Sequence, residues 1–114
     1  MKKDDLVYVG EMLDIATQVV DKVHGITHED YDQDENLRLA LVHLIQTIGE
    51  AARRVSHAFQ EDHPEIPWSA IIGMRHKIVH DYVWVDYGLV WDVVTVELPA
   101  LVKTLRHIVP PEEK

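Results

Sequence analysis

The sequence predicts an all-α fold: an up-down bundle of four to five helices, in a single domain spanning residues 1–114. Three observations carry that expectation. Apolar residues recur at helical spacings of three and four along four separate stretches. Gly25, Pro64 and Pro67 fall between those stretches. No run alternates apolar and polar residues for long enough to make a half-buried strand, and Val83, Trp84 and Val85 are too few to outweigh four helical stripes. Short connections favour antiparallel neighbours, hence the up-down order.

The first stripe is Leu6, Val9, Leu13, Ala16, Val20 and Val23, and Gly25 is placed to stop it. The second is Leu37, Leu41, Leu44, Ile48, Ala52, Val55 and Phe59, which predicts one helix from near Asp34 to about Gln60. "EDHPEIPW" breaks it, because the residues before Pro64 and Pro67 are pushed out of the α region. Pro67 suits the first turn of a third helix, where its missing N–H is no loss. Trp68, Ile71, Ile72, Ile78 and Val79 are the apolar positions of that helix. Asp86 is a good N-cap for a fourth, which runs through Val90, Trp91, Val94, Leu98, Leu101, Leu105 and Ile108. Pro99 falls inside it and should kink it by removing the bond back to Thr95. Residues 109–114 read as a short frayed tail.

The chain carries 20 acidic residues against 11 Lys plus Arg, a formal net charge of −9. Such a balance argues against non-specific nucleic-acid binding, which rests on neutralising phosphates. A local basic site remains open, because screening limits the reach of distant charge to about 10 Å. There is no cysteine, which excludes disulfides, thiolate metal sites and a thiol nucleophile. "MKKDDLVYVGEM" has no apolar run of a signal peptide, and no stretch approaches the about 18 apolar residues of a membrane span. A soluble, cytoplasmic protein without a membrane partner is expected.

Several polar stretches invite a functional reading. "DYDQDEN" (30–36) begins like a calcium loop, but Glu35 stands where glycine is needed and Leu41 where glutamate is needed. It reads as a solvated connection whose charge favours the next helix N-terminus. His76 and His80 are four apart, a spacing that a helix face can use for zinc, but Lys77 replaces the zincin glutamate. Two ligands also fall short of the three or four that zinc takes. No metal and no cofactor are expected. In "GEAARRVS" (49–56), Gly49 costs a helix about 1 kcal/mol relative to alanine, which close helix–helix approach would offset. Glu50 reads either as a solvated acid or as a buried acid orienting a cation such as Arg75. The remaining histidines are scattered and are assigned nothing.

"RHKIVHDY" (75–82) is the densest cluster of chemistry. The plain interpretation is a polar helix face. At about 100° per residue, however, Arg75 and Tyr82 lie within about 20° of each other, while His80 is about 140° from Arg75. Arg75 and His80 meet only if the helix ends or bends between them, or across two copies in a symmetric dimer. A shared two-fold site would also concentrate basic residues from an acidic protein.

The Arg75-x-x-x-x-His80 spacing, with the polar His76 after the arginine, resembles the signature of HEPN domains. The extension to Tyr82 resembles the HepT-like subgroup. "LVHLIQTIGEAARRVS", "HPEIPWSAIIGMRHKIVHDY" and "VWDVVTVELPAL" are similar to HepT-like stretches in the same order, over roughly residues 5 to 108. His43 departs from the basic residue usual at its position.

The resemblance implies a homodimeric α-bundle with both motifs in one cleft, and a metal-independent ribonuclease. It also implies a toxin paired with a minimal nucleotidyltransferase antitoxin, with RNA, transfer RNA included, as substrate. In that scheme Arg75 and His80 are catalytic, His76, Lys77 and Glu50 support or bind substrate, and Tyr82 accepts AMP from the antitoxin. Histidine suits acid–base work near neutrality, and arginine holds phosphate bidentately. The competing class is a non-catalytic helical module that docks a nucleotidyltransferase or its substrate.

Overall fold

The computed structural model describes residues 4–80 and 84–110, with Arg75, Val79 and His80 described by their backbone. Asp4 caps the first helix, its carboxylate accepting from the Leu6 N–H at 3.1 Å, and α1 runs Asp5–Val23. The chain then turns at Gly25, whose φ of 80° lies in the left-handed region that glycine enters without a Cβ clash.

A short helix follows where a solvated connection was expected. Thr27 and Asp30 close a reciprocal capping box at the start of α2 (His28–Asp32). The acidic surroundings mask Tyr31, which is completely buried and donates its hydroxyl to the Tyr87 carbonyl at 2.7 Å. Asp34 caps α3 (Glu35–Arg53) through the Leu37 N–H at 3.0 Å.

The single long helix expected from Asp34 to Gln60 is two helices. α3 stops at Arg53, and Ser56 caps α4 (His57–Asp62) by accepting from the Phe59 N–H at 3.2 Å. Asp5 holds the break from α1, accepting from the Ser56 N–H at 2.9 Å and its hydroxyl at 2.7 Å. Val55 and Phe59 still pack on the core across the break, which is why apolar spacing alone concealed it.

α5 (Trp68–Ile78) begins after Pro67 as expected. At its end the chain forms a strand pair, correcting the expectation of no hairpin. β1 (Val79–His80) lies antiparallel to β2 (Trp84–Val85), with Val79 opposite Val85 and His80 opposite Trp84. The Asp86 N–H donates to the Ile78 carbonyl at 2.7 Å and extends this ladder to the helix end. Asp86 also caps α6 (Tyr87–Asp92), accepting from the Leu89 N–H at 3.0 Å.

Pro99 leaves its mark upstream. Val93–Glu97 form a π-helical stretch, in which the Leu98 N–H reaches back five residues to Val93, before α7 (Leu98–Ile108). A proline at the second position of α7 supplies no donor to Thr95, and a widened turn absorbs the misfit. Val109 closes α7, and residues 111–114 of the tail lie outside the described residues.

Among the described residues the fold is therefore all-α apart from one ribbon of two-residue strands, with α2 and α4 added to the four predicted stripes. α1 packs against α3 and α7, and α3 packs against α5. Val9, Met12 and Ala16 of α1, Leu41 and Ile45 of α3, and Leu98 and Leu105 of α7 are the centre of the core. Among the described residues no helix is long and apolar enough to cross a membrane.

Candidate active site

α3 and α5 approach closely at Gly49. A Cβ added there would lie 3.2 Å from the Ile71 carbonyl oxygen and 3.9 Å from that of Ile72. The helix-propensity loss of this glycine is thus offset by backbone packing against the helix that carries the motif. Beside this crossing opens a cleft of about 470 Å³. Its polar lining is Gln46, Glu50 and Arg53 from α3, and His76 from α5.

Glu50 is exposed, so it is the solvated acid of the two sequence readings and not a buried one. Its two carboxylate oxygens accept from one guanidinium nitrogen of Arg53 at 3.1 and 3.0 Å. That hydrogen bond, with the carboxylate's charge behind it, raises the Arg53 pKa further and keeps Arg53 a cation at any working pH. Arg53 and Gln46 were not singled out from sequence. The available signal was spacing: Gln46 is three before Gly49 and Arg53 four after it, one face of one helix. His76 and Lys77 are both exposed, with His76 in the cleft wall and Lys77 next to it in sequence on α5.

Of the two ways in which Arg75 and His80 could meet, a helix end between them is present in the backbone. α5 ends at Ile78, between them, so Arg75 stands on the last turns of the helix and His80 on the extended β1. The same break removes the helical relation between His76 and His80 on which a two-histidine metal face would depend. Among the described residues no group of three or more His, Asp or Glu is placed to hold a metal ion. Tyr82 and the side chains of Arg75 and His80 lie outside the described residues, and the ribbon fixes the backbone on either side of residues 81–83.

The return limb of that ribbon is anchored by an aromatic cluster. Trp91 stacks on His28 with ring centroids 4.9 Å apart and packs on Tyr31 at 4.8 Å. Arg38 donates to the carbonyls of Tyr31, at 3.0 Å, and of Asp32, and lies over the Tyr87 ring at 5.2 Å. Burial pushes the Tyr31 hydroxyl up to about 12, only partly opposed by the Arg38 charge. Tyr31 is thus a neutral donor that ties α2 to the start of α6, directly after β2.

The family model described as Ribonuclease HepT-like matches residues 12–108, most of the chain and the whole motif region. The chain belongs to the ribonuclease HepT-like family. It is 34% identical to "Putative RNase TTE0752" of Caldanaerobacter subterraneus subsp. tengcongensis, covering 93% of this chain and 95% of that protein. It is 30% identical to "Probable ribonuclease HepT" of Thermococcus cleftensis, over 89% and 92% of the two chains. "Putative RNase MJ1380" of Methanocaldococcus jannaschii is 28% identical, over 94% and 98%. No solved structure matches the chain. Family membership makes the protein an RNase of the HepT-like kind and RNA its class of substrate.

Proposed function

We propose that this HepT-like protein cleaves RNA without a metal ion, at a site composed from two copies of the chain, as the toxin of a toxin–antitoxin pair. The observation that best supports the reading is the end of α5 at Ile78, which takes His80 off the helix that carries Arg75. A polar helix face requires no such break, and the break releases His80 from the about 140° that a continuous helix would set between it and Arg75.

In the proposed reaction the ribose 2′-oxygen attacks phosphorus and the bond from phosphorus to the leaving 5′-oxygen breaks. A base takes the 2′-hydroxyl proton and an acid returns one to the 5′-oxygen. His80 serves as acid–base group, its imidazole suited to both directions near neutrality. Arg75 neutralises the charge that grows on the crowded phosphate. His76 offers a hydrogen-bonding ring in the cleft wall, Lys77 follows it on α5 with a cationic side chain, and Glu50 orients Arg53 within the cleft. Two copies facing each other would double the cationic groups, which suits an RNase whose net charge is −9.

Silencing is proposed to occur at Tyr82. Its phenol oxygen attacks the α-phosphorus of ATP on a minimal nucleotidyltransferase antitoxin, and pyrophosphate leaves. The added AMP brings bulk and a negative phosphate to the end of the motif and repels RNA.

The test uses purified protein with total RNA, transfer RNA included, in the presence of a chelator. Wild type is expected to cleave and His80→Ala to lose activity by about 100-fold or more while remaining folded. Equal cleavage by His80→Ala overturns the assignment. Co-expression with the nucleotidyltransferase is expected to add one AMP mass to the peptide containing Tyr82, and Tyr82→Phe to escape it.

A further inference from the structure

The ribbon after α5 sets a tryptophan opposite the proposed acid–base residue. His80 and Trp84 are direct partners in the β1–β2 register. Directly opposed positions of an antiparallel pair belong to one face of the ribbon. Trp84 is 55% exposed, whereas Val85, the next residue, packs on the core. A single exposed tryptophan means little by itself. One set across the ladder from the proposed acid–base residue is a different observation.

Charge arithmetic gives it a role. At net −9, phosphate attraction alone is a poor source of RNA affinity. Base stacking on an aromatic ring is indifferent to net charge and tolerant of base identity. Single-stranded RNA is commonly held in this way, with a base splayed from its neighbours onto an aromatic face. Freeing one base from the stack also lets its ribose rotate, so that the 2′-oxygen can line up opposite the leaving 5′-oxygen.

Building on the ribonuclease reading above, we infer that Trp84 is the platform on which a nucleobase flanking the scissile phosphate stacks. It is a binding and positioning residue for single-stranded RNA, and the proton transfers are left to His80.

Binding and cleavage are measured separately, so that this inference and the ribonuclease reading fail in different ways. The binding probe is a short single-stranded oligonucleotide with 2′-O-methyl sugars, which cannot be cleaved. Titration is expected to quench the wild-type tryptophan fluorescence. Trp84→Phe should lose most of that quenching yet keep its affinity within a few-fold, since a phenyl ring still stacks. Trp84→Ala should raise Kd by about ten-fold. The ratio of mutant to wild-type Kd should stay constant as salt rises, because stacking releases no counterions. In cleavage, Trp84→Ala should raise KM far more than it lowers kcat.

Unchanged binding by Trp84→Ala overturns the inference. So does a change of oligomeric state in sedimentation that Trp84→Phe does not restore, which would make Trp84 a protein contact. A wild-type protein that binds the probe through Trp84 but cleaves no RNA would sustain the platform and sink the ribonuclease reading instead.

Discussion

Replacing Gly49 by alanine separates two effects of opposite sign. Within a helix alanine is favoured over glycine by about 1 kcal/mol. At Gly49, however, the new Cβ would lie 3.2 Å from the Ile71 carbonyl oxygen, against the 3.4 Å at which ordinary contact begins. Backbone cannot swing aside as a side chain does, so α5 must shift by a few tenths of an ångström, and overpacking of this kind costs about 1–3 kcal/mol. Gly73, in the middle of α5, has nothing within 4 Å of an added Cβ and supplies the control. Gly73→Ala is expected to stabilise by up to about 1 kcal/mol. Gly49→Ala should fall below it by about 1–3 kcal/mol. Urea denaturation at one fixed protein concentration, with unchanged m-values, measures both. Because α5 carries Arg75 and His76, Gly49→Ala should also reduce RNA cleavage more than its loss of stability explains. If Gly49→Ala stabilises as much as Gly73→Ala, the close crossing of α3 and α5 is refuted.

Tyr31→Phe removes the donor to the Tyr87 carbonyl and should cost about 1 kcal/mol at neutral pH, read as a lower urea midpoint. In wild type the Tyr31 hydroxyl stays protonated to about pH 12 when folded, against an ordinary value near 10. The unfolded chain therefore loses its proton first. The stabilisation is complete below about pH 10 and declines as pH rises towards 12, and Tyr31→Phe should lack that decline. Asp86→Ala removes the α6 N-cap and should destabilise by about 1 kcal/mol, while the backbone bond from residue 86 to Ile78 remains. Its thermal midpoint should fall with kcat nearly unchanged.

Helix existence was legible because burial imposes a period on the sequence. Val9, Ala16 and Val23 of α1, and Leu41, Ile48 and Ala52 of α3, are buried as their spacing predicted. The cap of α6 was legible for the same local reason, since Asp86 accepts a bond from three residues on, whereas Asp34 was read only as the neighbourhood of a helix start. The break between α3 and α4 was not, because Val55 and Phe59 keep the helical spacing across it and Ser56 alone signals the stop. Tyr31 was hidden by its acidic neighbours, which describe the exposed side of a helix that also has a buried one.

The all-α class, the Asp86 cap and the motif that marks a HepT-like chain could be read from the residues alone, because they follow from spacing and local hydrogen bonding. What those residues face follows from how the helices and the ribbon pack. Gly49 reads as a weak helix position until Ile71 is brought against it. Gln46 and Arg53 read as ordinary polar residues until α5 supplies the other wall of a cleft that they line. Trp84 reads as one more aromatic until the β1–β2 register sets it across from His80. Each of these depends on two segments distant in sequence or reversed in direction, which a one-dimensional period cannot encode.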